Sequence, residues 1–249
     1  MTKVRVGSDV YDIDGFVFDK DGLLFDSLHF WKGLAAFRIA QLAKLEGFPL
    51  QEWCRLFGVR TADGLVQDID PAGIFAIASP QEEVTISAAL LHDATGQEWG
   101  RCRDLAGEAF RSADENFDVR QVLTPKPGFP DIFRRLRAAG IPYGIATSDD
   151  ERRARVSVDV YDRADALSFI ITPADVKKGK PSPDMLHLAS EKLGVPTNRL
   201  MMLGDSYVDV QMAREAGSVG IGIPEDEGMK AKMVPYASNI IASLEEIEF

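Results

Sequence analysis

The chain of 249 residues is long enough to bury a full hydrophobic core, and its 45% of apolar residues excludes disordered and fibrous classes. Its formal net charge of −11 repels phosphate backbones and anionic lipids, so we expect no binding to nucleic acid or to a membrane surface. A small anionic substrate remains compatible with this charge if a metal ion or a lysine concentrates positive charge locally.

The start of the chain, MTKVRVGSDV, lacks the apolar stretch of a secretory signal. No apolar run reaches the roughly 18 residues of a membrane span. Cys54 and Cys102 stand apart without metal-ligand spacing, which is typical of free thiols in a reducing compartment. These features predict a cytoplasmic protein.

The first predicted elements are strands. Residues 4–13 predict a hairpin that turns at Gly7, and the apolar run at residues 16–18 predicts a buried strand. From about Ser27 to Leu123, apolar residues recur at spacings of three and four, which indicates amphipathic helices. The proline and glycine residues of VLTPKPGF then end this helical segment.

Strand and helix patterns alternate in the remainder of the chain. The predicted strands are IPYGIAT, ALSFIIT, RLMMLGD and SVGIGIP, and the tail from residue 233 predicts a last short strand and helix. Such alternation predicts right-handed crossovers and a parallel sheet with helices on both faces. The predicted fold is α/β: a doubly wound, Rossmann-like core of residues 1–26 and 125–249, interrupted by an all-helical insert at residues 27–124.

The pattern Asp-x-Asp-Gly occurs twice in this framework. Catalytic groups on a parallel sheet lie where strands end at the carboxyl edge. Asp19 directly follows the predicted buried strand, and Asp21 is its partner. Asp12 and Asp14 instead alternate with apolar residues, so we expect them to be solvated. The second copy is the candidate, and it is not a calcium loop of the EF-hand kind, because Phe30 occupies the twelfth position.

Polar residues also follow other predicted strands. Thr147 stands at a strand end, and Ser148 with Glu151 predicts a capping box opening the next helix. Free N–H groups at a helix N-terminus suit a phosphate, and a plain cap is an equally good interpretation of Ser148. Lys180 lies in the loop KKGKPSPD, where the alternative is a solvated lysine such as Lys177.

Two further carboxylates lie near the end of the chain. Asp205 ends a predicted strand, and Asp209 follows four residues later, on the same face if the helix has begun. Carboxylates at two strand ends, together with a lysine and a hydroxyl, predict an oxygen-rich pocket for Mg²⁺ and a phosphoryl group.

The ordered motifs DKDGLLFDS, GIATSDD, KGKPSPD and LGDSYVD resemble those of the haloacid dehalogenase superfamily. The likeness covers essentially the whole chain. The inserted segment resembles the helical cap of phosphoglycolate phosphatases and β-phosphoglucomutases. Residues 57–65, FGVRTADGL, are similar to the cap loop that contacts substrate in those relatives.

The resemblance implies a role for each candidate residue. Asp19 would be the nucleophile that forms an aspartyl-phosphate, and Asp21 would act first as acid and then as base. Thr147 and Lys180 would hold the phosphoryl oxygens. The implied metal site consists of Asp19, the main-chain carbonyl of Asp21, and Asp205, with Asp209 supporting a metal-bound water or Lys180.

We therefore expect a Mg²⁺-dependent phosphatase that acts on a small phosphorylated metabolite. Asp21 argues against carbon–halogen and carbon–phosphorus cleavage, because the enzymes that catalyse those reactions lack an acid there. Leu23, where the superfamily often has threonine, is a substitution familiar in capped members. A sugar phosphomutase and a catalytically silent binding protein are the alternatives.

Arg60 is the first cation of the segment FGVRTADGL. It either grips a carboxylate or second phosphate of the substrate, or pairs with Asp63 at the surface. The identity of the substrate and the oligomeric state stay open at this point.

Overall fold

The computed structural model describes residues 2–70 and 73–249, with the side chains of Ser27 and Ile77 left aside. The chain divides into two compact units, one formed by Met1–Asp26 with Leu123–Phe249 and the other by Ser27–Val122. The second boundary lies two residues before the predicted one.

The strands, in chain order, are β1 (Thr2–Val6), β2 (Asp9–Ile13), β3 (Gly15–Phe18), β4 (Val59–Ala62), β5 (Leu65–Ile69), β6 (Tyr143–Ala146), β7 (Ile170–Ile171), β8 (Leu200–Gly204), β9 (Val219–Gly222), β10 (Asn239–Ile240) and β11 (Ile247–Glu248). The α-helices are α1 (Ser27–Leu42), α2 (Leu50–Phe57), α3 (Ile74–Ile77), α4 (Pro80–Thr95), α5 (Trp99–Asn116), α6 (Asp131–Ala139), α7 (Glu151–Asp159), α8 (Asp184–Leu193), α9 (Tyr207–Ala216) and α10 (Glu227–Met233).

The first unit contains a parallel sheet in the order β10-β9-β8-β3-β6-β7. The central strand β3 is buried along its whole length, because both faces of the sheet are covered. Val17 packs with residues of α8 and α9 on one face. Phe18 points to the other face, where its ring meets that of Phe133 in α6 at 5.0 Å. Helices on both faces confirm the predicted doubly wound α/β class.

A small antiparallel sheet, in the order β11-β1-β2, lies in the same unit. Its β1–β2 hairpin turns at Gly7, whose φ is 57°, as predicted. The tail differs from the prediction. A single 3₁₀ turn, Leu244–Glu246, replaces the expected helix, and β11 then pairs with β1. The three-residue segment is too short for an α-helix, and the Ser243 capping box stabilises the tighter turn instead.

The chain is tied to itself where it leaves and re-enters the first unit. The Asp26 N–H donates to the Thr124 carbonyl at 2.9 Å. One residue further out on each side, Phe25 and Pro125 form an antiparallel bridge.

The second unit is mainly helical, with a core that includes the buried Trp53, whose Nε1 donates to Ser87 Oγ at 2.9 Å. The expectation of an all-helical insert is incomplete, because β4 and β5 form an antiparallel hairpin. Its two-residue loop consists of Asp63 and Gly64, both with positive φ, which is the type I′ geometry favoured by Asp-Gly. Within the described residues, no helix combines the length and the hydropathy needed to cross a bilayer.

Candidate active site

Three neighbouring strands deliver the candidate residues to one edge of the parallel sheet. β3 pairs with β8 on one side and β6 on the other. Asp19 directly follows β3, Thr147 follows β6, and Asp205 follows β8. Parallel strands bring their carboxyl ends to the same edge, so residues far apart in sequence meet there.

Lys180 lies between two carboxylates of this site. Its Nζ is 2.7 Å from Asp19 Oδ1 and 2.6 Å from Asp209 Oδ1, and its side chain is only 4% exposed. Burial alone would lower the pKa of Lys180, but the adjacent carboxylates raise it above the ordinary value, so the side chain stays charged. It is therefore a fixed positive charge inside an acidic protein.

Asp19, Asp205 and Asp209 gather their carboxylates closely, with one oxygen from each lying within 4.8 Å of the others. Asp209 stands in the first turn of α9 and accepts a hydrogen bond from the Ser206 N–H at 3.2 Å. Burial, and then repulsion from Asp19, raises the pKa of Asp209 to about 6. The same two effects raise the pKa of Asp205 well above its ordinary value.

Gly22 makes room for this cluster. Its φ is 80°, and a Cβ built on it would overlap the Asp205 carboxylate. The close approach leaves a group of hard carboxylate oxygens with more negative charge than Lys180 alone balances. Such a donor set fits Mg²⁺, which prefers oxygen ligands.

Asp21 lies beside a buried cation. Lys20 Nζ is 2.5 Å from Asp21 Oδ1 and 3.0 Å from Asp149 Oδ2. Burial raises the pKa of Asp21, and the Lys20 charge opposes that rise. Burial would lower the pKa of Lys20, whereas Asp21 and Asp149 raise it above its ordinary value.

Thr147 is buried, and its Oγ1 accepts from the Asp149 N–H at 3.1 Å. Ser148 is exposed, and the predicted capping box with Glu151 is wrong. The cap of α7 is Asp150, whose Oδ1 accepts from the Arg153 N–H at 2.8 Å. Asp150 immediately precedes the helix, so its carboxylate reaches the first-turn N–H groups, whereas Ser148 lies two residues too early.

The first Asp-x-Asp-Gly copy lies away from this edge, because Asp14 precedes β3 whereas Asp19 follows it. Asp12 pairs with Lys3 across the β1–β2 hairpin at 2.8 Å. Asp14 accepts from Arg199 Nε at 2.7 Å. Both carboxylates are ion-paired rather than simply solvated.

Arg60 belongs to β4 in the second unit and has a side chain that is 72% exposed. Its ion-pair partner is Asp68, so the predicted pairing with Asp63 is wrong. The hairpin register sets Arg60 opposite Asp68 on β5, while Asp63 lies in the turn.

Sequence reasoning missed Lys20 and Asp149 as parts of the site. Lysine is usually solvent-exposed, so a lysine between two candidate carboxylates gave no sign of burial. Asp149 stood in the run Thr147–Asp150, four consecutive residues of types that are able to cap a helix.

Comparison with known proteins adds independent findings. A family model described as haloacid dehalogenase-like hydrolase matches residues 13–217. Phosphoglycolate phosphatase of Escherichia coli is 32% identical over 97 residues, which are 39% of this chain and 38% of that protein. N-acetylmuramic acid 6-phosphate phosphatase of Pseudomonas aeruginosa is 29% identical over 38% of this chain and 42% of that protein. The chain thus spans less than half the length of these curated relatives.

Solved structures with a similar fold match nearly the whole chain. A haloacid dehalogenase-family hydrolase from Deinococcus radiodurans, with bound phosphate and sodium, has a TM-score of 0.58 and 22% identity, covering 94% of this chain and 93% of that one. β-Phosphoglucomutase from Clostridium difficile has a TM-score of 0.57 and 16% identity, covering 95% and 94%. At these identities the structures share the fold alone. Because the family model matches most of its length, the chain belongs to the haloacid dehalogenase-like hydrolase family.

Proposed function

We propose that the chain is a Mg²⁺-dependent phosphatase that hydrolyses a small phosphorylated metabolite through an aspartyl-phosphate. The observation that carries this proposal is the Asp19 carboxylate, which lies at the end of the central strand, 2.7 Å from the buried Lys180 ammonium. A carboxylate held by a fixed cation is able to approach a phosphate dianion without the full cost of like-charge repulsion.

In the first step, an Asp19 oxygen attacks phosphorus and the bond from phosphorus to the leaving oxygen breaks. The electron pair of that bond stays with the leaving oxygen, and Asp21 supplies its proton. In the second step, water attacks the phosphorus, Asp21 takes a proton from the water, and the Asp19 carboxylate is released. Asp21 thus returns to its starting protonation state.

Thr147 and Lys180 hold the phosphoryl oxygens in this proposal. Thr147 is supported by the burial of its side chain at the end of β6, and Lys180 by its nearly complete burial beside Asp19. Ser148 would add a hydrogen bond from its exposed position beside Thr147. Such fixed donors, aimed at developing charge, account for most of the rate in phosphoryl transfer.

Asp19, the main-chain carbonyl of Asp21, and Asp205 would hold Mg²⁺, with Asp209 supporting the site. The bound ion supplies charge neutralisation between carboxylate and phosphate and fixes their relative position. The close grouping of Asp19, Asp205 and Asp209, with one carboxylate oxygen of each within 4.8 Å of the others, supports this assignment.

The proposed substrate is a class of compound, the small phosphorylated metabolites, and not one named compound. The two curated relatives with similar identity carry names of different phosphatases, one for phosphoglycolate and one for a sugar 6-phosphate. In this proposal the first unit is the catalytic core and the second is the cap. Arg60, exposed on the second unit, is the proposed residue that recognises an additional anionic group of the substrate.

A phosphomutase with the same nucleophile is the second candidate, favoured by the fold shared with β-phosphoglucomutase. The experiment is a panel of phosphorylated metabolites incubated with the protein and Mg²⁺, in which free phosphate and isomerised sugar phosphate are both measured. The phosphatase proposal predicts stoichiometric free phosphate, loss of activity in EDTA, and recovery with Mg²⁺ but only poor recovery with Ca²⁺. Isomerised product without phosphate release would favour the mutase, and no turnover of any ester would favour a silent binding protein.

A further inference from the structure

Lys20 is the residue between Asp19 and Asp21 in the sequence of the Asp-x-Asp-Gly motif, and its side chain is completely buried. Lysine is almost never fully buried unless it is paired. Here the ammonium is 2.5 Å from Asp21 Oδ1 and 3.0 Å from Asp149 Oδ2. It therefore joins the segment after β3 to the segment after β6.

The Asp149 end of this bridge is itself fixed. Arg153 Nη1 donates to Asp149 Oδ1 at 3.0 Å, and the Asp150 N–H donates to the same oxygen at 2.9 Å. The Asp149 N–H donates to Thr147 Oγ1 at 3.1 Å. The position of Lys20 is thus set by a segment that the strand end at Thr147 anchors.

We propose that Lys20, held by Asp149, is a positioning residue that fixes the Asp21 carboxyl for proton transfer to the leaving group. This inference rests on the proposed phosphatase function. An ammonium only donates, so the Asp21 oxygen that faces it, Oδ1, acts as acceptor. The transferable proton then belongs on Oδ2, which is left for the substrate.

The electron and proton balance follows from this assignment. The Oδ2–H bond of Asp21 breaks and its proton passes to the leaving oxygen, which keeps the electron pair of the broken bond to phosphorus. Oδ1 remains bound to Lys20 throughout. Rotation of the carboxyl, which would carry the proton away from the leaving oxygen, is restrained by the hydrogen bond that the Lys20 ammonium donates to Oδ1.

A purely structural role for Lys20 makes a different prediction. A salt bridge that only supports the fold would, when removed, impair every substrate alike. A residue that positions the acid affects only leaving groups that need a proton. Alkyl phosphates need one, whereas p-nitrophenolate departs as a stable anion.

The test compares kcat/KM of the Lys20→Met variant for p-nitrophenyl phosphate and for the best alkyl phosphate of the panel. kcat/KM depends only on the steps up to and including departure of the leaving group. The later hydrolysis of the aspartyl-phosphate therefore does not affect it. We expect kcat/KM to fall about 100-fold or more for the alkyl ester and less than about threefold for the aryl ester, since general acid catalysis contributes ~10²–10⁴-fold.

Asp149→Asn should show the same dependence on the leaving group, with a smaller loss of kcat/KM. If Lys20→Met does not fold, the ratio of the alkyl-ester loss to the aryl-ester loss in Asp149→Asn tests the positioning role instead. Asp21→Asn provides the reference pattern for a missing acid, and Lys177→Met, at an exposed lysine, should leave kcat/KM for both esters unchanged.

Equal losses on both esters in the folded variant would overturn the positioning role while leaving the phosphatase proposal intact. Absence of phosphate release by the unaltered protein would instead refute the phosphatase proposal itself.

Discussion

The Lys180 ammonium donates to Asp19 Oδ1 at 2.7 Å across a separation of 161 residues in the chain. The same ammonium contacts Asp209, so a single cation lies between the proposed nucleophile and a carboxylate on α9. Removal of this cation leaves buried carboxylates without their main positive partner.

Lys180→Ala is therefore expected to lower kcat/KM by about 10³-fold or more, because both the phosphate and the attacking carboxylate lose stabilisation. Steady-state phosphate release measures this effect. Lys177→Ala is the matched control, since Lys177 is exposed in the same loop and should be nearly silent. Comparable losses in both variants would reduce Lys180 to a member of a general basic patch.

Asp19→Asn should abolish turnover and leave the fold intact, because an amide is a poor nucleophile and a weak metal ligand. Circular dichroism and phosphate release together test this. Asp12→Asn and Asp14→Asn are the controls: each removes a carboxylate whose ion pair is at least partly exposed and contributes little to stability, and each should preserve activity. Activity of Asp19→Asn within about tenfold of the unaltered protein would show that another carboxylate is the nucleophile.

The raised pKa of Asp209, about 6 with burial as its main cause, predicts how stability depends on pH. Folding favours the protonated form of Asp209, so its stabilising contribution is complete below pH ~4 and is lost as pH rises through ~6. This loss lowers the unfolding free energy of the metal-free protein by about 3 kcal/mol. In the proposed metal site, Mg²⁺ would bind the ionised carboxylates. The increase in Tm that Mg²⁺ produces should therefore be larger above pH ~7 than below pH ~5, as measured by thermal unfolding.

Asp209→Asn removes one of the titrating carboxylates. It is expected to weaken the pH dependence of the metal-free protein without abolishing it, because the pKa of Asp205 is also raised. A Mg²⁺-induced change in Tm that is the same at both pH values would contradict the assignment of these carboxylates to the metal site.

Gly22→Ala should weaken Mg²⁺ binding, because the new Cβ displaces the Asp205 carboxylate. A decrease of about 10–100-fold in metal affinity is expected, read as the Mg²⁺ concentration that gives half-maximal activity. Gly194→Ala is the control for backbone strain: its φ is 64° and a Cβ there meets nothing within 4 Å. Both variants should lose about 1–2 kcal/mol of stability from the left-handed conformation, but only Gly22→Ala should change the metal requirement.

Arg60→Ala should lower kcat/KM for the best substrate about 10–100-fold, which corresponds to ~1.4–2.7 kcal/mol, through loss of a guanidinium–anion contact. p-Nitrophenyl phosphate, which has no second anionic group, should be hydrolysed normally. Arg55→Ala, at an exposed arginine paired with Glu52 on α2, should affect neither substrate. A loss on both substrates would indicate damage to the fold of the second unit.

Much of the core fold was predictable, because its signals are local. The apolar run of β3 and the alternation of strands and helices follow from burial periodicity alone, and those strand ends located Asp19, Thr147 and Asp205. The β4–β5 hairpin was missed although Asp63-Gly64 is a typical hairpin turn, because most side chains of its short strands are exposed and show little apolar alternation. The turn residues were the better signal.

The contacts around Lys20 had no local signal at all. Its burial depends on Asp149, which is distant in sequence and reaches Lys20 only because β3 and β6 are neighbours in the sheet. The prediction of the α7 cap was wrong for a related reason. Ser148 and Asp150 are both able to cap the helix, and the position at which β6 ends decides which of them directly precedes it. Sequence spacing identified the candidate residues, and tertiary pairing decided their partners.

The hydrogen bond from Asp26 to Thr124 and the bridge between Phe25 and Pro125 close the chain just before the second unit begins and just after it ends. Because the two crossing points are held together by the first unit itself, the segment between them resembles a long loop on a closed stem. The entropic cost of lengthening such a loop rises only slowly, by about 0.6 kcal/mol for each doubling. We therefore expect that exchange of this segment for another of different length or sequence leaves the strand ends at Asp19 and Asp205 in register, which would let the two parts of the protein diversify at different rates.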